Sequence, residues 1–536
     1  MMNMNKYGFG AIVLAASLTL TGCIEETFPT DAATPGQVGE SEKAVEGLLM
    51  GIPATLQNRV FSSRQDWDYG YSSIMHIRDV MTQDLATAND NQYNQYGYWG
   101  SNQLQGVDYV FAQYLWTAQT KYVNSTNVLI RSVDPETASP NLLGYLGAAY
   151  AYRAMFYLDM AREYEFLAND GRSSINKDGN DVKGLTVPIV DENTDENAAR
   201  NNPRATREKM GEFIKGDLEK AETYIANLKL SNKSLPHLDC VYGLYARLYM
   251  WLENYPEAEK YARKAIDASS ATPMTRENAL STTTGFNDAT QWMWAIQITQ
   301  ETMVSNLQNW ISFASCETTW GYSSVNGGCE IMLDKNMYER VSDTDWRKLM
   351  WKAPAGSTLD GQNTYCDAGI GAQLKSYSSL KFRPAGGNVS DYSVGGETAY
   401  PLMRVEEMYF IEAEAAAHQD AGRGVQLVES FMKANRDANY TCKVSSTDDV
   451  VEEIVFQKRI ELWGEGQAFF DIKRLDLPCT RSYNGSNHLP DEAFNTTGRA
   501  AWMNWVIDYY EQTNNYEVTK YNNPDPSDAY DPIPFK

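Results

Sequence analysis

Residues 89–103 read NDNQYNQYGYWGSNQ, and four of the seven positions from Tyr93 to Trp99 are aromatic. No aliphatic residue sits among them; the fillers are Asn, Gln and Gly. A ring offers a flat apolar face, and each amide side chain carries both donors and an acceptor. Such a mixture suits an uncharged guest with an apolar face and a rim of hydroxyls, and Tyr93, Tyr96, Tyr98 and Trp99 are its candidate contacts. The competing reading is that the rings fold back over a scaffold while the amides form solvated turns.

A second stretch, NWISFASCETTWGYSSVNGG at 309–328, interleaves Trp310, Trp320 and Tyr322 with small polar residues, and Asn326-Gly327-Gly328 marks a turn. Trp320 and Tyr322, with Asn326 beside them, are expected to line a shallow groove. Core packing competes here too, most strongly for Trp310. Asp66, Trp67, Tyr69 and Tyr71 in QDWDYGY form a third, weaker cluster. By contrast, Trp292 and Trp294 share one face of QWMWAIQI and belong in a core. On the exposed reading, Trp99→Ala or Trp320→Ala removes binding and leaves stability nearly unchanged.

Other chemistry is sparse. The four histidines, His76, His237, His418 and His488, form no HExxH, and neither GxSxG nor a phosphate-cradling GxxxxGK occurs. With 70 acidic residues some carboxylate pair always looks suggestive of glycoside hydrolysis, so no such pair is assigned. Glu406, Glu407, Glu412 and Glu414 read as solvated or packing charges. NKDGNDVKG at 176–184 is rich in oxygen ligands but lacks the spacing of a calcium loop. No catalytic residue, metal or cofactor is expected. Six cysteines follow Cys23 without a CxxC, which gives no support to a zinc knuckle. Cys316 and Cys329 are the nearest candidates for a disulfide, with buried free thiols as the alternative.

The elements that must position these groups are helical. Val241, Leu244, Tyr245, Leu248, Tyr249 and Leu252 recur on one helix face, and Ala258, Tyr261, Ala262, Ala265 and Ile266 mark a second stripe after Pro256. Two helices joined by so short a turn lie antiparallel. Further stripes fall around 41–58, 108–130, 140–166, 206–228, 401–418 and 450–474, while 270–400 is rich in Gly, Ser, Thr, Asn and aromatics. The expected architecture is mostly α, with a loop-rich region inserted into or laid across helix pairs. A hydrophobic content of 43% excludes disorder, and a net charge of −24 disfavours nucleic acid while leaving neutral ligands unaffected.

The N-terminus has Lys6, an apolar stretch too short to span a bilayer, and Leu20-Thr21-Gly22-Cys23. This resembles a bacterial lipobox. Residues 1–22 are then a signal peptide, Cys23 the lipidated residue and 23–40 a flexible tether, roughly 20–25 Å end to end. Glu25 and Glu26 resemble a surface-export signal.

Several segments in order resemble the SusD/RagB family of outer-membrane nutrient-binding lipoproteins. They are RAMFYLDMAREYE at 153–165, GLTVPIV at 184–190 with PRATREKMGEFIKGDLEKAE at 203–222, YPLMRVEEMYFIEAEA at 400–415, IVFQKRIELWGEGQAFFDIKR at 454–474 and the closing DPIPFK. The chain departs from the family at Ala468, where Arg is common. The resemblance implies one SusD-like domain over 41–536, with tetratricopeptide-like helix pairs supporting an irregular ligand-binding half. It implies contacts in both aromatic stretches and a place in the outer membrane, lipid-anchored and facing outward. It further implies that the chain acts as a hinged lid over a SusC-like TonB-dependent transporter, receiving neutral oligosaccharide. A peptide ligand on the same fold is the alternative, and a glycoside hydrolase is the remoter one.

Overall fold

A computed structural model describes residues 38–39, 41–89, 93–303 and 305–527. The signal peptide, Cys23, most of the tether and the closing Pro-Ile-Pro lie outside the described residues. The architecture is mostly helical. Helix α1 (Glu42–Thr55) is followed by α2 (Tyr71–Val80) and the short α3 (Gln95–Gly100). Helices α4 (Val110–Ser132), α5 (Pro140–Tyr164), α6 (Arg207–Tyr224), α7 (Leu238–Trp251) and α8 (Tyr255–Ala268) build the first part of the scaffold. After the long excursion come α9 (Val405–Gln419), α10 (Ala421–Asn435), α11 (Thr447–Glu461), α12 (Ala468–Arg474) and α13 (Tyr509–Asn514).

Neighbours in sequence pack as neighbours in space: α4 on α5, α5 on α6, α7 on α8 and α9 on α10. The α7–α8 turn shows why. Asn254 caps α8, Pro256 occupies its first turn, and the stripe Ala258, Ala262 and Ala265 is fully buried. Small side chains let the axes approach closely. At Gly147 on α5 the approach is closer still, since a Cβ there would stand 2.7 Å from the Ile225 backbone nitrogen. Helix α8 also packs directly on α9, so the stack is continuous across the excursion between them. Two short antiparallel ladders tie the excursion down. Strand β1 (Leu85–Thr87) pairs with β3 (Ile331–Leu333), and β2 (Trp294–Gln297) pairs with β4 (Ala399–Met403). Trp292 and Trp294 are fully buried, as their shared face implies.

Buried ion pairs lock the stack. Arg153 on α5 grips both oxygens of Asp217 on α6 at 2.7 Å and reaches Asn127 on α4 at 2.8 Å. Burial alone would raise the Glu461 carboxyl, but Arg436, Arg404 and Arg347 converge on it and hold it well below the usual range. Arg404 and Lys381 meet at Glu465, 2.9 and 2.6 Å away. Glu406, Glu407, Glu412 and Glu414 are all buried and pair with Arg404, Arg247, Arg263 and Arg474, so they are packing charges. The 450–474 stripe is two helices rather than one, broken where Gly464 and Gly466 take φ of 76° and 68°.

Every residue of α2 is buried. Its Arg78 donates to Asp159 at 2.9 Å and to Glu163 at 2.8 Å on α5, which fixes α2 to the scaffold. The opposite side of α2 presents Ser73 and His76 to the aromatic segment, and through them the scaffold positions the site.

Candidate functional site

The three aromatic clusters of the sequence meet in one place. Asn309 accepts from the Ser312 backbone N–H at 2.9 Å and starts the short helix Trp310–Ala314. The chain then doubles back. The Tyr322 backbone N–H donates to the Ser312 hydroxyl at 3.0 Å, and the Ser323 hydroxyl donates to the Phe313 carbonyl at 2.7 Å. Gly321 makes the reversal possible: its φ is +87°, and a Cβ there would stand 2.7 Å from the Ser312 Cα. The reversal lays the Tyr322 ring on Phe313, centroids 4.7 Å apart and planes 12° from parallel. Its hydroxyl donates to Asp66 at 2.7 Å and accepts from the Asn94 amide at 3.3 Å. Arg64 holds Asp66 at 2.6 Å. Tyr322 is half-buried, and burial, with the hydrogen bond to Asp66 and its charge, outweighs the Asn94 hydrogen bond and pushes its hydroxyl up to about 12.

The rings of 93–99 divide sharply. Tyr93, Tyr96 and Trp99 have no exposed surface, which corrects the expectation that they form an open platform. Hydroxyl partners inside the protein let the tyrosines be buried at low cost. Tyr96 shares a 2.7 Å hydrogen bond with Ser73 and donates to Tyr69 at 2.9 Å, while Tyr93 meets His76 Nε2 at 2.5 Å. Trp99 packs edge-on against Trp67, Tyr96 and Phe111, with centroids 5.3–5.5 Å apart. Burial pushes the His76 imidazole down to about 3, so it is neutral. Trp320 is only 8% exposed, because the 388–396 segment closes over it, and this too is a correction. Thr319 donates its backbone N–H to Val389 at 2.9 Å, and the Tyr392 ring stands 6.3 Å from the Trp320 ring.

Tyr98 and Asn326 remain exposed. Tyr98 follows Asn94 by four residues, about one helical turn. The accessible groups of the neighbourhood are therefore Tyr98, the open part of Tyr322, Asn326, Asn94 and the Arg64–Asp66 pair. Sequence reading missed Arg64 and Asn94 as members, and also Tyr392. The one signal for Asn94 is conformational: Asn94, Asn102 and Leu104 have φ of 57°, 62° and 58°. They are half of the non-glycine residues in the left-handed region among the described residues, and such outliers concentrate at functional sites. Neither amide atom of the buried Asn102 side chain has a hydrogen-bond partner.

Among the described residues no group of three or more His, Cys, Asp or Glu side chains is placed to hold a metal ion. No disulfide joins the six cysteines there, and Cys316 donates to the Ile331 carbonyl at 3.4 Å, so the 316–329 disulfide is not formed. No described helix is long and apolar enough to cross a membrane.

Comparison with known proteins converges with this geometry. The sequence profile of the SusD family matches residues 356–536. No curated protein matches the chain in sequence. In structure the chain is similar to a SusD-like carbohydrate binding protein from Bacteroides vulgatus, with a TM-score of 0.69 at 19% identity over 90% of this chain and 98% of that one. It is also similar to a SusD superfamily protein from Bacteroides thetaiotaomicron, with a TM-score of 0.66 at 17% identity over 90% of this chain and 100% of that one. A SusD superfamily protein from Bacteroides fragilis gives 0.63 at 18% identity over 90% and 99%. The helix-pair scaffold with an irregular second half is thus the SusD fold from end to end of the described chain.

Proposed function

We propose that this chain is a surface lipoprotein that captures neutral oligosaccharide and passes it to a TonB-dependent transporter of the SusC type, acting as its lid. Lipidation at Cys23 would anchor it to the outer membrane facing outward. The observation that carries the reading is Tyr322. It is a half-open ring backed by Phe313 and bonded to the Asp66 carboxylate and the Asn94 amide, with exposed Tyr98 about one turn on from Asn94 and exposed Asn326 four residues on from the ring. A sugar ring can lay its C–H face on such a plate and share its hydroxyls with the amide and carboxylate. No bond is made or broken; binding and release are the whole of the chemistry. The family match and the carbohydrate-binding neighbour support the ligand class.

The test is titration calorimetry of the full chain in detergent against a panel of neutral polysaccharides. Tyr322→Ala is expected to weaken binding about 10-fold, equivalent to about 1.4 kcal/mol. Absence of binding to any neutral glycan, or unchanged binding by the variant, overturns the reading. New reducing ends on incubation would show a hydrolase instead. Metabolic labelling with palmitate, lost in Cys23→Ser, tests the anchor.

A further inference from the structure

The large apolar side chains left exposed among the described residues are not spread evenly. Apart from Tyr98, Tyr392 and Val394 near the candidate site, most lie around 509–521: Tyr109, Val190, Tyr509, Tyr510, Tyr516 and Tyr521. They form one neighbourhood. The Tyr509 backbone N–H donates to the Val107 carbonyl at 3.2 Å, and that of Tyr516 donates to the Arg200 carbonyl at 2.9 Å. Contiguous exposed apolar surface on a soluble domain marks a site of interaction.

Between α4, α13 and the short helix Glu196–Arg200 runs an open groove of about 660 Å³. That size is typical of small-ligand sites. Trp116 forms its floor and is held by a 3.3 Å hydrogen bond from its indole N–H to Glu511, while Tyr510 stands in the wall, 57% exposed. The α4 side is built from Gln113, Thr117, Thr120 and Asn124. These recur at i, i+4, i+7 and i+11, one face of a helix over about 16 Å. No charge interrupts that stripe in a chain whose net charge is −24. The charges of the opposite wall are engaged: Arg200 pairs with Glu196 at 2.9 Å, Glu511 accepts from Trp116 at 3.3 Å, and Asp508 accepts from the Glu511 backbone N–H at 2.8 Å. Aromatic surface opposite a row of uncharged donor–acceptor groups is the chemistry of a hydroxyl-rich neutral chain.

We infer that the groove between α4 and α13 is a second binding site for neutral oligosaccharide, with Tyr510 as its stacking ring. It shares no residue with the Tyr322 site, and it rests on the reading that the ligand is a neutral glycan. Two sites on one chain would let a long polymer bind more tightly than either site alone allows.

The experiment uses the full chain in detergent, with the polysaccharide that binds best and a pentasaccharide cut from it as probes. The expected stoichiometry is two pentasaccharides per chain, with one site weakened about 10-fold in Tyr510→Ala, the other weakened about 10-fold in Tyr322→Ala and both weakened in the double variant. Polymer affinity should fall at least 10-fold in Tyr510→Ala, with circular dichroism unchanged. Thr117→Arg, which puts a long cation in the groove, should reproduce the loss and guards against a folding artefact. One pentasaccharide per chain, weakened in Tyr322→Ala and untouched in Tyr510→Ala and Thr117→Arg, overturns the inference while the proposed function stands. If Tyr510→Ala abolishes self-association in sedimentation and leaves sugar binding intact, the groove is a protein interface and the inference fails. If no neutral glycan binds the parent chain, the proposed function fails and takes this inference with it.

Discussion

Residues 93–105 and 508–523 have nearly the same vocabulary, tyrosine among Asn and Gln, and opposite fates. In the first, Tyr93, Tyr96 and Trp99 are sealed; in the second, Tyr509, Tyr510 and Tyr516 are more than half exposed. The difference lies in what arrives from elsewhere. Helix α2 brings Ser73 and His76 and the excursion brings Phe313, which together supply hydroxyl partners and ring faces to the first segment. Segment 508–523 lies over the outer side of α4, and its tyrosines gain no such cover. Burial is therefore a property of the partners, and composition alone does not reveal it.

That contrast can be broken experimentally, most forcefully at Trp99. Trp99→Ala should cost about 3–5 kcal/mol, because it removes a fully buried indole from an aromatic cluster. Urea denaturation measures this, and a cost below about 1 kcal/mol would mean the ring is not core. His76 gives the next effect. Its folded value lies near 3, below the ordinary 6.5, so between those limits the unfolded chain binds a proton that the folded chain refuses. Stability present at neutral pH is thus lost as pH falls through that window, by an amount on the order of 4 kcal/mol. Thermal melts at pH 4 and pH 7 should show the loss, and His76→Gln should shrink it. Tyr322→Ala is intermediate: about 1 kcal/mol of stability from its stack on Phe313, alongside the 10-fold loss in glycan affinity. Smallest is Tyr516→Ser, expected to stay within about 0.5 kcal/mol in the same urea titration.

The helix pairs were legible because burial on one face writes a 3.6-residue period into the chain, as at 241–266. The same period runs through α10, where Val428, Phe431 and Met432 are buried at i, i+3 and i+4. The site was legible in part. Each of the three converging clusters stood out by its aromatic content, yet their convergence depends on Gly321 and on a hydrogen bond between Asp66 and Tyr322, far apart in the chain. Arg64 and Asn94 carry no local signal of their role. The tyrosines of 509–521 have surroundings as rich in amides as those of 93–99, so composition does not separate the two segments.

The pinned ring of Tyr322 has a bearing on speed. Phe313 fixes its plane and two contacts fix its hydroxyl, so the side chain has lost its rotational freedom before any guest approaches. A mobile ring would forfeit about 0.5–1.5 kcal/mol of that freedom at every encounter. On the proposed function, arrival and departure of a guest then require little more than drying and rewetting a rigid plate, which fits capture followed by release.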